Sequence, residues 1–152
     1  MYSSYMNHGR TSDPSPITSA VLHAARAIDA RIETVLAPLR LSMAKVGVLR
    51  HLVQEGAPLA LSVLAERNRC VRSNITQLAD RLEADGFLRR VADPHDRRAV
   101  LAEPTAAGIL AYQEAVSLLA AEEARLTHGL SSDVREQLLH LASHVEDPPG
   151  VP

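Results

Sequence analysis

One cysteine, no tryptophan and only 3% aromatic residues are spread over 152 positions. The single thiol, Cys70, excludes an internal disulfide framework. No apolar run approaches the roughly 20 residues that a bilayer-spanning helix needs, so no membrane partner is expected. The opening MYSSYMNHGRTSDPSP has no apolar stretch of signal-peptide length, and the expected compartment is the cytoplasm. A lone cysteine and scattered histidines fall short of the nucleophile–base pair or metal cluster that an enzyme requires, and no cofactor is expected. Scarce aromatics leave Leu, Val and Ala to fill the core of a mainly α chain, long enough for one domain with helical extensions.

An excess of positive charge is also missing, since the formal net charge is −2. Its distribution matters more than its sum. Residues 67–98 carry eight Arg (67, 69, 72, 81, 89, 90, 97, 98) against five acidic residues, whereas residues 99–152 carry two Arg against eight. Phosphate binding needs such a local basic patch rather than a basic whole. A solvated surface run would look the same in isolation, so the underlying pattern has to decide.

That pattern runs from Leu61 to Pro104. Leu61, Leu64 and Ala65 mark a short amphipathic run, followed by a turn over Asn68–Val71. Ile75, Leu78 and Leu82 then fall three and four apart, one stripe of a second helix, and Gly86 is a natural left-handed stop beyond it. Two β-type runs follow, Phe87–Val91 and Ala99–Ala102, around a charged tip, Asp93 to Arg98. Helix, tight turn, helix and β-hairpin together predict a winged helix-turn-helix whose second helix suits a major groove.

The flanks read as helices. Residues 1–15 lack periodicity and are expected to be a disordered leader. Ile17, Val21, Ala24, Ile28, Ile32 and Val35 predict a helix from Pro16 to about Ala37, closed by Pro38. Ser42 caps a second helix over 43–55 that Gly56 closes, so 16–56 forms an N-terminal dimerisation and support segment. Residues 57–104 form the DNA-binding core, with Ala57–Ala60 as a third strand. Thr105 caps a long helix to about Thr127, on the order of 33 Å at helical rise, with Ile109, Tyr112, Val116, Leu119 and Leu126 on its apolar side. Gly129 breaks it and Ser131 caps a final helix with a Val134, Leu138, Leu141, Val145 seam. Residues 105–146 are thus C-terminal dimerisation helices, and 147–152 a tail. One small winged domain cannot cover all these stripes, which predicts a homodimer with two recognition helices about one DNA turn apart, suited to pseudo-palindromic operators.

Through LAER, SNITQLADRLEADGFLRR, DPHDRRAVLAEPTAAG and the long helix after them, the chain resembles the MarR family of bacterial transcriptional regulators. The likeness covers roughly residues 17–145 and is most specific over 61–108. It implies a homodimeric winged-helix regulator of double-stranded DNA, usually a repressor, often released by a small phenolic or other lipophilic effector. Three places depart from the family pattern. Asn68-Arg69 stands where an apolar residue and Gly are usual, Val71 where Ser or Thr caps the recognition helix, and Glu103-Pro104 where Leu is usual. Ser73 is an alternative cap.

Off the apolar stripe of the recognition helix lie Arg72, Ser73, Asn74, Thr76, Gln77 and Arg81. Asn and Gln pair with adenine edges, Arg with guanine or phosphate, and hydroxyls with either. Asp80 lies among them and is expected to orient Arg81. On the wing, His95, Arg97 and Arg98 are expected to contact DNA, one Arg entering a minor groove and the other pairing with Asp93 or Asp96, as in the family. Cys70, flanked by Arg69 and Arg72, is either a redox-sensitive thiol or a small hydrophobe filling the turn, and the second is favoured. His140 and His144 lie one turn apart with Glu136 near, yet without a further ligand they read as surface histidines rather than a metal site. His23, Arg26, Met43, His51 and Tyr112 are candidates for an effector pocket. The rival to a DNA-binding regulator is a winged-helix module that binds protein. It would present an apolar or acidic recognition face, and this face is polar and basic.

Overall fold

The computed structural model describes residues 16–94, 96 and 100–146. Six α-helices occur among them: α1 (Pro16–Leu36), α2 (Met43–Glu55), α3 (Leu61–Arg67), α4 (Arg72–Ala84), α5 (Ala106–Leu126) and α6 (Ser132–Glu146). Three short strands, β1 (Leu59–Ala60), β2 (Leu88–Ala92) and β3 (Val100–Pro104), form an antiparallel sheet in the order β1-β3-β2.

The helix boundaries follow from local chemistry. Ser42 accepts a hydrogen bond from the Lys45 N–H at 3.4 Å, and Gly56 ends α2 at φ 67. Residue 38, a proline, turns the end of α1 into a 3₁₀ turn over Ala37–Leu39 instead of stopping the chain at once. Val71 precedes α4 in extended conformation and offers no side-chain cap, so Ser73 lies inside the helix and is not its cap. The strands are displaced from their expected bounds: β2 starts one residue late and β3 runs on to Pro104. Leu88 pairs with Pro104 and Arg90 with Ala102, an alignment fixed by the burial of Leu88 and Ala102 on the inner face. Pro104 is tolerated there because it closes the ladder, where a missing N–H costs little.

The core is built around α2. Its Val48, Leu49 and Leu52 are fully buried and meet Leu36 of α1, Leu64 of α3, Ile75 and Leu82 of α4, and Leu88 of β2. At about 25 cal/mol per Å² of buried apolar surface, aliphatic packing of this kind is the main force holding α4 in place. The apolar side expected for α5 is rotated. Gly108, Ala111 and Ala115 face the core, while Val116 is exposed. Small residues there let α5 pack closely against α1 and α2, which larger side chains would prevent. Glu122, only 4% exposed, closes that packing by an ion pair to Arg31 of α1 at 2.5 Å.

Helix α6 buries none of its described side chains in the single chain. The Ser131 hydroxyl accepts from Val134 N–H at 3.4 Å, and Arg135 donates to the carbonyls of Leu130 and Thr127, which fixes the corner after Gly129.

Candidate nucleic-acid interface

The helix-turn-helix is held by backbone hydrogen bonds through its turn. Asn68 N–H reaches Leu64 O at 3.0 Å, its side-chain amide bonds the same carbonyl at 2.8 Å, and Cys70 N–H reaches Ala65 O at 3.0 Å. Arg69 takes the left-handed conformation, φ 48, where glycine is the usual occupant. The side chain of Cys70 is half-buried and packs against the core.

Helix α4 buries Ile75, Ala79 and Leu82 and turns its opposite face outward. Ser73, Asn74, Gln77 and Arg81 are exposed on it, and Arg72 is exposed in the first turn. Thr76 is half-buried and its hydroxyl donates to the Arg72 carbonyl at 2.9 Å. Arg72 and Arg81 make no ion pair among the described residues. Asp80 does not orient Arg81. It pairs instead with Arg90 of β2, Nη2 to Oδ1 at 2.5 Å, and Arg90 also binds Glu83. Partial burial disfavours the Arg90 charge, but the bonds to Asp80 and Glu83 outweigh it and hold its pKa above the ordinary arginine value. Nothing in the sequence pattern separated Arg90 from its seven neighbours in the basic segment; only the register of β2 against α4 does.

The far end of α4 is clasped to the corner between α1 and α2. Lys45 Nζ lies 2.7 Å from Asp85 Oδ2 and 2.9 Å from Arg40 O, while Arg40 donates to the Asp85 carbonyl at 3.0 Å and lies 5.7 Å over the Phe87 ring. Arg89 pairs with Glu103 across β2 and β3.

The expected wing contacts His95, Arg97 and Arg98 lie outside the described residues. Asp93 and Asp96 each make an interaction of their own. The five residues expected around an effector do not share one groove. Met43 borders an apolar groove of about 350 Å³ together with Ile28, Ile32, Leu119, Glu122, Glu123, Leu126 and Thr127. His23 and Arg26 are exposed on α1, and Tyr112 packs on the core. His51 sits beside Arg67 with Nε2 buried and unpartnered, and burial first, then Arg50 and Arg67, hold its pKa below 6.5. The rings of His140 and His144 stack 6.3 Å apart on exposed α6, and no cluster of three metal-ligating residues occurs among the described residues. No helix there is long and apolar enough to cross a membrane.

The MarR family model matches residues 41–100, the span from α2 to the start of β3. Over that span the chain is similar to the MarR family. Its MarR segment is also similar to the HTH-type transcriptional regulator YkoM of Bacillus subtilis (strain 168), 37% identical over 94 residues. That alignment covers 62% of this chain and 60% of YkoM. The MarR fold recurs in a mutant MarR from E. coli complexed with operator DNA, with TM-score 0.72, 23% identity, and coverage of 86% of this chain and 94% of that one. It recurs again in the organohalide-sensing RdhR regulator in its 2,4-dichlorophenol-bound form, with TM-score 0.78, 15% identity, and coverage of 91% and 88%.

Proposed function

We propose that this protein is a sequence-specific DNA-binding transcriptional regulator, a repressor that acts as a homodimer on a pseudo-palindromic operator. One observation carries the reading. Helix α4 is locked into the core by Ile75, Ala79 and Leu82 and presents Ser73, Asn74, Gln77 and Arg81 on its exposed face, with Arg72 exposed in its first turn. Those side chains suit base edges and phosphates, and their rigid backing limits the entropy lost on docking. A protein-binding module would show an apolar or acidic face there. A MarR protein of the same fold, solved in complex with operator DNA, supports the reading.

Dimer formation is supported by where the large exposed hydrophobics fall. Ile17, Val21, Leu22 and Ile28 on α1, Leu110 and Val116 on α5, and Val134, Leu138, Leu139 and Val145 on α6 all stand outside the single-chain core. Apolar area of that extent is covered in a stable soluble protein. The groove between α1 and α5 beside Met43 is the place for a small lipophilic or phenolic effector, and RdhR, of the same fold, binds 2,4-dichlorophenol. Release would follow if ligand favours a dimer whose recognition helices no longer match the operator spacing.

The deciding experiment is a mobility shift of the purified protein on DNA from around its own gene, over a salt series. Tight, sequence-selective and salt-dependent binding by one dimer per site is expected. Binding indifferent to sequence, or none, replaces this reading with the protein-interaction module.

A further inference from the structure

Asp80 falls three residues after Gln77 and seven after Ser73, so the three share one stripe along the outward face of α4. A carboxylate there, with its side chain 59% exposed, stands in line with the groups that would approach a polyanion. Glu83 lies one turn further on at the flank. Left bare, the two carboxylates would oppose the phosphate attraction of Arg72 and Arg81.

Arg90 reaches across from β2 to both. Its Nη2 meets Asp80 Oδ1 at 2.5 Å, its Nη1 meets Glu83 Oε2, and its backbone N–H donates to Glu83 Oε1 at 3.2 Å. Its side chain is the least exposed of the trio, at 26%, and its guanidinium donors are turned toward the carboxylates rather than outward. We propose that Arg90 is a positioning residue for DNA binding, which cancels the Asp80 charge on the groove-facing stripe without touching DNA itself. The proposal rests on the reading of α4 as the recognition helix. With Arg90 in place the trio carries one net negative charge, and without it two.

The test is a set of variants titrated on the operator over a salt series, with melting curves alongside. Arg90→Gln is expected to weaken binding about tenfold while leaving the slope of log affinity against log salt unchanged, because no phosphate contact is lost. The triple variant Asp80→Asn, Glu83→Gln, Arg90→Gln is expected to return within about threefold of the native affinity, because the charges to be cancelled have gone. A triple variant that melts like the native protein yet binds as poorly as Arg90→Gln overturns the proposal. So does a salt slope reduced by about one in Arg90→Gln, which makes Arg90 a direct phosphate contact.

If Arg90→Gln does not fold, Asp80→Asn in the otherwise native chain decides. A masked carboxylate gives less than about a threefold change. A gain of about tenfold shows that Asp80 was never masked, and a sequence-selective loss shows that it reads a base edge; either overturns the proposal. A native protein that binds no operator removes the recognition reading and this one together. A native protein that binds, and an Arg90→Gln variant that binds equally well, removes only this one.

Discussion

Gly108 lies directly against the backbone of Phe87. A Cβ built on Gly108 would meet the Phe87 carbonyl oxygen at 1.9 Å and its carbonyl carbon at 2.8 Å. The same corner is tied by Thr105, whose hydroxyl donates to Gly86 O at 2.6 Å and accepts from Gly108 N–H at 3.0 Å, while Thr105 N–H reaches Phe87 O at 3.0 Å. The Thr-x-x-Gly signature is therefore a joint between the wing sheet and α5. Gly108→Ala must displace backbone, not a flexible side chain, and is expected to cost at least about 3 kcal/mol. Chemical denaturation of the variant checks this; a loss under about 1 kcal/mol would show that the joint yields easily.

Arg69 offers the opposite case. A non-glycine residue at positive φ costs about 1–2 kcal/mol, partly offset by the greater chain entropy of an unfolded glycine. Arg69→Gly is expected to stabilise the protein by about 0.5–1 kcal/mol, seen as a raised melting temperature. No rise would mean that the side chain makes up the strain by contacts of its own.

His51 should make stability depend on pH. Its folded pKa lies below the ordinary 6.5, so as the pH falls the unfolded chain takes up this proton first. The contribution is complete above pH 6.5, and is lost as the pH drops from there toward the lowered folded value. His51→Gln should flatten the fall in melting temperature between about pH 7 and pH 5. Parallel curves for native and variant proteins would assign that fall to other groups.

The recognition helix makes a sharper demand on specificity. Asn74→Ala and Gln77→Ala are each expected to cost about 1–3 kcal/mol against the operator and little against unrelated DNA. Arg72→Ala, if it meets a phosphate, should weaken both alike and lower the salt slope by about one. Equal losses on all sequences for Asn74 and Gln77 would remove them as base readers.

Leu138 tests the dimer. It is exposed on α6 in the single chain, and Leu138→Glu puts a charge on the surface assigned to a second copy. Sedimentation is expected to give a two-chain mass for the native protein and a shift toward one chain for the variant. An unchanged mass would move the interface elsewhere.

Most of the fold was legible because its signals are local. Ser42 and Gly56 bracket α2, Thr105 starts α5, and the Ile75 and Leu82 stripe faces inward as its spacing requires. What the sequence hid depends on contacts between distant segments. The buried side of α5 is Ala111 and Ala115 rather than Val116, because close helix packing selects small residues over merely apolar ones. The partner of Asp80 is Arg90 rather than its neighbour Arg81, because strand pairing brings a residue ten positions away within reach. The effector candidates scattered for the same reason: His51 and Met43 share α2 but face different neighbours.

The clasp of Lys45 and Arg40 on Asp85 has a mechanical meaning. With one end of α4 gripped at the corner where α1 meets α2, and the other joined to α3 by a hydrogen-bonded turn, the reading helix has no hinge of its own. It is expected to move as one piece with the corner between α1 and α2. A molecule wedged beside α1 would therefore not soften α4 but swing it whole, so the bound and unbound forms should favour operators that differ in the distance between their half-sites rather than in their bases.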